Sequence, residues 1–254
     1  MQSTLATLSG AVVGFSLGLI GGGGSILAVP ALLYVVGITD AHLAIGTSAL
    51  AVSVNAFANL AHHARAGTVK WSIAAVFAGA GALGAFLGST LGKAMAGQKL
   101  LVLFAVLMVA VAAAMFRHES RAGDPDVRLS GPIVMKLATI GFLTGALSGF
   151  FGIGGGFLIV PALMLASGIP IINAIGSSLF SVGSFGIITA LNYAWSGLVN
   201  SPISAFFIAG GVVGGFVGMR SAVVLARERG MLTRIFASVI LLVAAYTLYR
   251  SYEA

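Results

Sequence analysis

Two runs of glycine, each followed by a small hydroxyl cluster, are the residues of this sequence best suited to bind a ligand. The first run is Gly21-Gly22-Gly23-Gly24-Ser25 and the second is Gly152-Ile153-Gly154-Gly155-Gly156. Each glycine costs a helix about 1 kcal/mol relative to alanine, so we expect the helix to unwind at both runs. Half-helices resuming at Ser25 and Phe157 would present free N–H groups and a positive dipole end, an arrangement that binds anions. The alternative is that the glycines only form a tight hairpin.

The hydroxyl clusters are Gly46-Thr47-Ser48 and Gly176-Ser177-Ser178, near the start of the next apolar segment of each run. Their hydroxyl groups can donate to an anion or bond back to a carbonyl of their own helix. Single polar residues in the same segments serve as hydrogen-bonding contacts between helices or as ligands. We therefore predict a substrate site at Gly23, Gly24, Ser25, Thr47, Ser48, Gly154, Gly155, Gly156, Ser177 and Ser178, with Asn55, His62 and Asn192 as secondary candidates.

Other kinds of chemistry find no support in the sequence. There is no cysteine, so no thiolate metal site or cysteine nucleophile is available. The four histidines, His42, His62, His63 and His118, lie at predicted loop edges, where they cannot serve as a base within the membrane. Neither glycine run is followed by the lysine of a phosphate-binding loop. We predict that the protein is not an enzyme and that it has no metal and no cofactor.

The composition indicates a membrane protein. Of 254 residues, 59% are hydrophobic and 7% are charged, against roughly 45–50% and 25% in soluble domains. Several apolar runs are long enough to cross a bilayer core of about 30 Å as helices. The net charge of +7 comes from residues scattered over short loops, so the lipid bilayer is the expected partner and nucleic acid is not. A second copy of the chain is a further candidate partner.

The glycine pattern occurs twice along the chain. A shift of 131 positions superimposes Gly14, Gly18, Gly21, Gly23, Gly24, Pro30 and Gly37 on Gly145, Gly149, Gly152, Gly154, Gly155, Pro161 and Gly168. Two homologous halves are the simplest account. We predict a first transmembrane repeat over residues 1–117, a polar linker over 118–131 and a second transmembrane repeat over 132–254. The predicted apolar segments are residues 5–36, 43–61, 71–91 and 100–116, and then 133–166, 171–193, 203–224 and 231–249.

The basic residues favour an inverted arrangement of the two repeats. If the chain reverses at each glycine run, each repeat crosses the membrane an odd number of times. Reversal places ten of the 13 Lys and Arg residues on one face and leaves Lys93, Lys99 and Arg250 on the other; without reversal the division is seven against six. Because Lys and Arg favour the cytoplasmic side, we predict inverted repeats with periplasmic termini. The fold class is an all-α, polytopic membrane protein, each repeat having a glycine-broken re-entrant helix plus three transmembrane helices.

A second set of glycines recurs every four residues and predicts close helix packing without chemistry. The members are Gly10, Gly14 and Gly18 with Gly141, Gly145 and Gly149, and Gly84, Gly88 and Gly92 with Gly210, Gly214 and Gly218.

The segments GLIGGGGSILAVPALLYVVGITDAHLAIGTSA and GFFGIGGGFLIVPALMLASGIPIINAIGSSLF resemble the duplicated signature of the TauE/SafE sulfite exporter family. The resemblance extends over nearly the whole chain and includes the proline nine residues after the start of each glycine run. It implies an inner-membrane permease that exports sulfite or organosulfonates such as sulfoacetate. Its matching positions are Gly21 to Ser25 with Thr47 and Ser48, and Gly152 to Gly156 with Ser177 and Ser178.

Our first functional hypothesis is thus a secondary transporter that exports a small sulfur oxyanion or organosulfonate from a site near the middle of the membrane. An anion channel or a proton-coupled anion carrier with the same site are the alternatives. All six acidic residues lie in or beside predicted loops, whereas coupled carriers usually hold an ionisable relay within their spans. We read the histidines as solvated interface residues, and we hypothesise an uncoupled, electrogenic uniport.

Overall fold

The computed structural model is helical throughout its described part, which comprises residues 1–117, 123–124, 127, 129–152, 156–225, 238, 241–247 and 249. No strand occurs among these residues. The helices are α1 (Gln2–Ile20), α2 (Ala28–Pro30), α3 (Ala41–Arg65), α4 (Trp71–Lys93), α5 (Gly97–Arg117), α6 (Gly131–Phe151), α7 (Gly156–Ser167), α8 (Ile171–Ala194) and α9 (Ser201–Leu225). Residues 241–247 are also helical, and the rest of the predicted segment 231–249 lies largely outside the described residues.

Six described helical segments are long and apolar enough to cross a membrane, which confirms the all-α membrane prediction. They are Gln2–Val35, Ala41–Arg65, Trp71–Lys93, Gly131–Phe151, Ile171–Ala194 and Ser201–Ser221. Two shorter apolar helices, Gly97–Ala110 and Gly156–Ser167, accompany them.

The α-helix ends at the first glycine run as predicted, but the run itself is a 3₁₀ helix and not the unwound chain that was expected. Residues Gly21–Leu27 form a 3₁₀ helix, followed by α2 and by a π-helical turn over Ala31–Val35. A 3₁₀ helix keeps backbone groups hydrogen-bonded inside a membrane while making the chain slimmer than an α-helix. In the second half, the described part of α7 is Gly156–Ser167, so the chain is already helical one residue before the expected Phe157.

The chain nevertheless reverses at the first run, so Gln2–Val35 is not one straight span. Gly21 has φ of 69° and ψ of −145°, a conformation open to glycine but not to residues with a Cβ atom. A Cβ built on Gly24 would lie 2.8 Å from the Cβ atom of Ser16. Residues eight apart in a continuous helix are separated by about 12 Å, so the segment must fold back along α1.

The glycine stripes pack helices of one half directly on helices of the other, which confirms their predicted role. α1 packs on α9, where a Cβ on Gly14 would lie 2.5 Å from the Cα atom of Gly211. α4 packs on α6, where a Cβ on Gly84 would lie 2.8 Å from the backbone nitrogen of Ala146. Since only backbone fits at these crossings, any side chain would separate the helices.

The registers of these contacts give the relative directions of the helices. Gly14 faces Gly211 and Gly18 faces Gly215, so α1 and α9 run parallel. The same glycines of α9 meet Asn55 and Asn59, so α3 runs parallel to both. The further pairs that fix directions are Gly145 with Gly81, Gly149 with Ala85, Phe77 with Phe185, Trp71 with Phe180, Gly183 with Phe57 and Gly186 with Ala49.

These pairs divide the helices into two groups of opposite direction, α1, α3 and α9 against α4, α6 and α8. Each helix is therefore antiparallel to its repeat equivalent: α1 to α6, α3 to α8 and α4 to α9. The registers support the predicted inversion, and the orientation in the membrane stays a prediction.

Candidate functional site

We call the two glycine runs, residues 21–25 and 152–156, the breaks. The first break lies in the interior next to Gly156 of the second, and each is contacted by a serine of the other half. The N–H group of Gly22 donates to Oγ of Ser178 at 3.1 Å. The N–H group of Gly156 donates to Oγ of Ser25 at 3.3 Å. Both serines are fully buried. The breaks are in backbone contact as well, since a Cβ on Gly22 would lie 2.6 Å from the Cα atom of Gly156.

Each of these serines also donates its hydroxyl proton to a nearby carbonyl of its own segment. Ser25 donates to the carbonyl oxygen of Gly22, and Ser178 donates to that of Ile175, both at 2.8 Å. The serine oxygens therefore act as acceptors toward the breaks. An oxygen atom of a bound anion would be an acceptor for the same N–H groups, and it would give the hydroxyl protons a charged partner.

Ser48 occupies the equivalent position beside the second break. Its Oγ donates to the carbonyl of Ile45 at 2.8 Å and lies 3.5 Å from the carbonyl oxygen of Gly152. Ser48 is fully buried. The structure thus brings together Ser25, Ser48, Ser178 and Gly156 from the predicted site.

The neighbouring hydroxyls of Thr47 and Ser177 point to other helices. Oγ1 of Thr47 accepts from the N–H group of Asn200, just before α9, and Oγ of Ser177 accepts from that of Lys70, just before α4, both at 2.9 Å. The two contacts are equivalent in the two halves: Thr47 joins α3 to the start of α9, and Ser177 joins α8 to the start of α4. In this structure Thr47 and Ser177 hold helix starts and do not face the breaks.

The remaining glycines of the predicted site divide between described and undescribed parts of the chain. Gly23 and Gly24 are buried within the 3₁₀ segment, and Gly24 packs on the backbone of α1 at Leu17. Gly154 and Gly155 lie outside the described residues.

The secondary candidates are dispersed. Asn192, at the end of α8, donates to Ser89 at 2.6 Å and accepts from the Lys93 ammonium at 2.7 Å, far from the breaks. His62 is half-buried, with its ring 5.5 Å from that of Phe216 on α9. Asn55 is fully buried on α3.

His63 was not among the predicted residues, and its expected solvated position is wrong. It is 2% exposed, with Nδ1 3.0 Å from Oγ1 of Thr68 and Nε2 3.5 Å from the carbonyl oxygen of Gly18. Its place beside Arg65 at a helix end resembled a loop edge in the sequence. The signal that was available is its spacing from Asn55 and Asn59, at positions i, i+4 and i+8 of one helix face.

Aromatic rings pack beside the second break and further along the chain after the first. The ring of Phe104 on α5 lies 5.8 Å from that of Phe151 and 6.3 Å from that of Phe157, on either side of the second break. Tyr34, after the first break, meets Tyr246 edge to face at 5.2 Å.

In the described part of the chain, no group of three His, Asp or Glu side chains lies close enough together to bind a metal ion.

Comparison with known proteins gives a consistent result. The model of the sulfite exporter TauE/SafE family matches residues 6–247. A probable membrane transporter protein of Xylella fastidiosa (strain Temecula1) is 54% identical over 100% of this chain and 98% of its own length. The probable membrane transporter protein YunE of Bacillus subtilis is 27% identical over 86% of this chain and 88% of its own.

A more distant relative comes from a plant. The sulfite exporter TauE/SafE family protein 5 of Arabidopsis thaliana is 38% identical over 32% of this chain and 18% of its own length. No solved structure is significantly similar to this chain. With the family model spanning nearly the whole sequence and six helices of membrane-spanning length in the fold, the chain belongs to the TauE/SafE sulfite exporter family of membrane transporters.

Proposed function

We propose that this protein is a secondary transporter of the bacterial inner membrane that exports a small sulfur oxyanion or an organosulfonate, such as sulfite or sulfoacetate. The observation that carries the proposal is the reciprocal pairing of Gly22 with Ser178 and of Gly156 with Ser25. Two backbone N–H donors and two hydroxyl groups converge there from both halves. The description of the family supports the sulfur-containing class of substrate.

The proposed binding step exchanges neutral hydrogen bonds for charge-assisted ones. An anion between the breaks accepts from the N–H groups of Gly22 and Gly156, while the hydroxyls of Ser25 and Ser178 rotate from their carbonyls toward it. Hydrogen bonds to a charged group contribute about 1.5–3 kcal/mol each. Fixed N–H groups replace water around the charge without needing to reorient.

Complete burial of the site favours a carrier over an open anion channel. Ser25, Ser48 and Ser178 are each 0% exposed, so an anion reaches them only after helices move. A carrier exposes such a site to one face at a time, by rocking one repeat against the other. A proton-coupled carrier with the same site remains the second alternative.

A binding screen on the purified protein tests this proposal. Sulfite, sulfate, sulfoacetate and taurine are each added while thermal unfolding is followed, and counterflow in proteoliposomes is measured for the compounds that raise Tm. We expect sulfite or sulfoacetate to raise Tm and to support saturable counterflow. Zwitterionic taurine should bind least, because its ammonium group would be buried beside the breaks with no carboxylate to pair with it among the described residues of the spans.

Two variants tie any binding to the breaks. Gly156→Val places a β-branched side chain against the backbone of Gly22 and should abolish the Tm shift. Ser178→Ala keeps the backbone intact and should weaken binding without preventing folding. Unchanged affinity in a folded Ser178→Ala protein would contradict the proposed site. Flux that never saturates would contradict the carrier mechanism.

A further inference from the structure

Three polar residues of α3 form a buried line that leads away from the breaks. Asn55, Asn59 and His63 are spaced at four residues, and Ser48 lies on the same face two turns earlier. Their exposed fractions are 0%, 1% and 2%. We call Asn55, Asn59 and His63 the α3 polar stripe. It runs from the middle of the helix toward its end at Arg65.

The amide groups of the stripe lack the partners that a purely structural role requires. Neither amide atom of Asn55, nor Oδ1 of Asn59, has a hydrogen-bond partner among the described residues. Nδ2 of Asn59 donates only within its own helix, to the carbonyl of Asn55 at 2.9 Å. A buried polar group without a partner costs about 1–3 kcal/mol. Asparagines that join helices would instead bond to α1 or α9.

Glycines of the neighbouring helices let these amides pack directly against their backbones. A Cβ on Gly211 would lie 2.7 Å from Oδ1 of Asn55, and one on Gly215 would lie 2.6 Å from Oδ1 of Asn59. Gly18 of α1 borders Asn59 at 3.0 Å by the same measure. The stripe therefore faces a seam between α1 and α9 that small residues line.

The equivalent face of α8 is more apolar. Phe185 stands where α3 has Asn55, Thr189 where it has Asn59, and Tyr193 where it has His63. The ring of Phe185 is fully buried and stacks on that of Phe77 at 6.3 Å. Phe185 thus interrupts the polar line on α8, although Thr189 Oγ1 and the Tyr193 hydroxyl also lack a hydrogen-bond partner among the described residues.

Basic groups lie where the stripe reaches the end of α3. Arg65 and His62 belong to the last turn of α3, and Lys70 directly precedes α4. Arg220 of α9 lies level with His63, its guanidinium 4.1 Å above the ring of Phe216. A cluster of positive groups at the mouth of a low-dielectric seam attracts anions.

We propose that the α3 polar stripe lines the path by which the substrate anion passes between the breaks and the membrane face that carries Arg65 and Lys70, a path that opens and hydrates when α9 moves away from α3. The Asn55 and Asn59 amides supply N–H donors at successive depths along this path, and the His63 ring lies at its outer end. Water and the passing anion are the missing partners of the two amides. The proposal rests on the proposed function, because it assigns a route to the same anion.

Charged thiol reagents test the path without knowledge of the substrate. The chain contains no cysteine, so Asn55→Cys and Asn59→Cys each create one reactive site. An anionic sulfonate-bearing methanethiosulfonate and a cationic trimethylammonium analogue are applied to membrane vesicles of either orientation. We expect both variants to react from the Arg65 face. Each reagent's rate is divided by its rate at the exposed Ala66→Cys, and on this scale the anionic reagent should be about tenfold faster than the cationic one.

Two control positions locate the path. Val54→Cys on the exposed side of α3 should not react in lipid, where a thiol stays protonated. Phe185→Cys should not react from the Arg65 face. The proposal is overturned if Asn55→Cys and Asn59→Cys stay unreactive while Ala66→Cys reacts, or if both reagents react at equal normalised rates.

A second variant guards against misfolding of the cysteine proteins. Asn59→Leu replaces an unsatisfied amide by an apolar side chain, so it should leave Tm unchanged or raised while lowering flux. A folded Asn59→Leu protein with normal flux contradicts the path. The two proposals can fail separately. If the cysteines react but no tested anion binds, the proposed function is contradicted. If an anion binds and Ser178→Ala weakens its binding, but the cysteines do not react, only the path is contradicted.

Discussion

Ser177 and Ser178 are adjacent on α8, yet their hydroxyl groups have different partners. Ser178 contacts the first glycine break, and Ser177 accepts from the N–H group of Lys70 at the start of α4. Thr47 and Ser48 repeat this division in the other half. Consecutive helical residues point about 100° apart, so one hydroxyl of each pair faces the breaks and the other joins two helices.

This division predicts that two matched variants affect different properties, one anion affinity and the other thermal stability. Ser178→Ala should weaken binding of the substrate anion by roughly tenfold to a hundredfold, the equivalent of about 1.5–3 kcal/mol. Ser177→Ala should leave affinity unchanged but lower Tm, because the Lys70 N–H group loses its partner. Titration with the anion that raises Tm in the screen, together with thermal unfolding, measures both. Equal losses of affinity would show that both hydroxyls bind the anion.

At the residue level, the sequence identified the hydroxyl clusters but could not rank their members. Ranking requires knowledge of which helix lies opposite each hydroxyl, and that depends on how the halves pack. The same limit explains His63. Beside Arg65 at a helix end it resembled an interface residue, whereas α1 covers it and brings the carbonyl of Gly18 to 3.5 Å from its ring.

Helix packing depends on glycines at particular crossings. α4 contains both a crossing glycine and an exposed one. Gly84 faces α6, where a Cβ would approach the backbone of Phe142 and Ala146. Gly79 is exposed on the same helix and has nothing within 4 Å of a built Cβ. The two positions thus separate helix propensity from packing.

Gly84→Ala should therefore destabilise the protein, and Gly79→Ala should not. Alanine favours a helix over glycine by about 1 kcal/mol, so Gly79→Ala should keep or slightly raise Tm in detergent. At Gly84 the same gain is outweighed because α4 and α6 must separate. Thermal unfolding of the two proteins side by side gives the comparison. If Gly84→Ala is as stable as Gly79→Ala, close contact of backbones does not determine this interface.

Periodicity predicted the helices and their small faces because both depend on local sequence. It did not predict that α1 pairs with α9 or α6 with α4, since partner choice is a long-range property. The 3₁₀ form of Gly21–Leu27 was also missed. Helix propensities measured in water favour unwinding of a glycine run, but the membrane interior penalises every backbone group left without a hydrogen bond.

Opposed directions of equivalent helices have a consequence for the whole molecule. The turn after α3 and the turn after α8 are equivalent in the predicted repeats, and the predicted inversion would place them on opposite faces of the membrane. Arg65, Lys70, Lys136 and Arg220 then lie at one end of the helices, and Lys93 and Lys99 lie at the other. The predicted cytoplasmic loop 227–234 lies outside the described residues.

Single cysteines in those two turns test the inversion. Ala66 and Ser196 are equivalent, and both are exposed. In intact cells, an impermeant thiol reagent should label Ser196→Cys and leave Ala66→Cys unlabelled until the membrane is permeabilised. The expected sidedness follows from the larger number of basic residues at the Ala66 end. Equal labelling of both positions in intact cells would rule out inverted repeats.

The energy source of transport is the last property of the whole molecule that the arrangement of charges predicts. The six acidic residues are Asp40, Glu119, Asp124, Asp126, Glu228 and Glu253. None of them lies within a described helix, and Asp40 caps α3 by accepting from the N–H group of Leu43 at 3.0 Å. No carboxylate in the described spans is therefore available to carry a proton.

Export of an anion from a cell that is negative inside requires no coupling ion, because each charge moved outward gains about 2.3 kcal/mol per 100 mV. We therefore expect an electrogenic uniport. In proteoliposomes, a potassium-diffusion potential at equal pH should drive flux of the anion that binds, and a pH gradient clamped at zero potential should not. Buried His63 and half-buried His62 are the two histidines beside the proposed path. His63→Gln and His62→Gln therefore test whether a histidine carries a coupled proton. Accumulation driven by the pH gradient alone, and removed by either variant while exchange persists, would replace the uniport with proton coupling through that histidine.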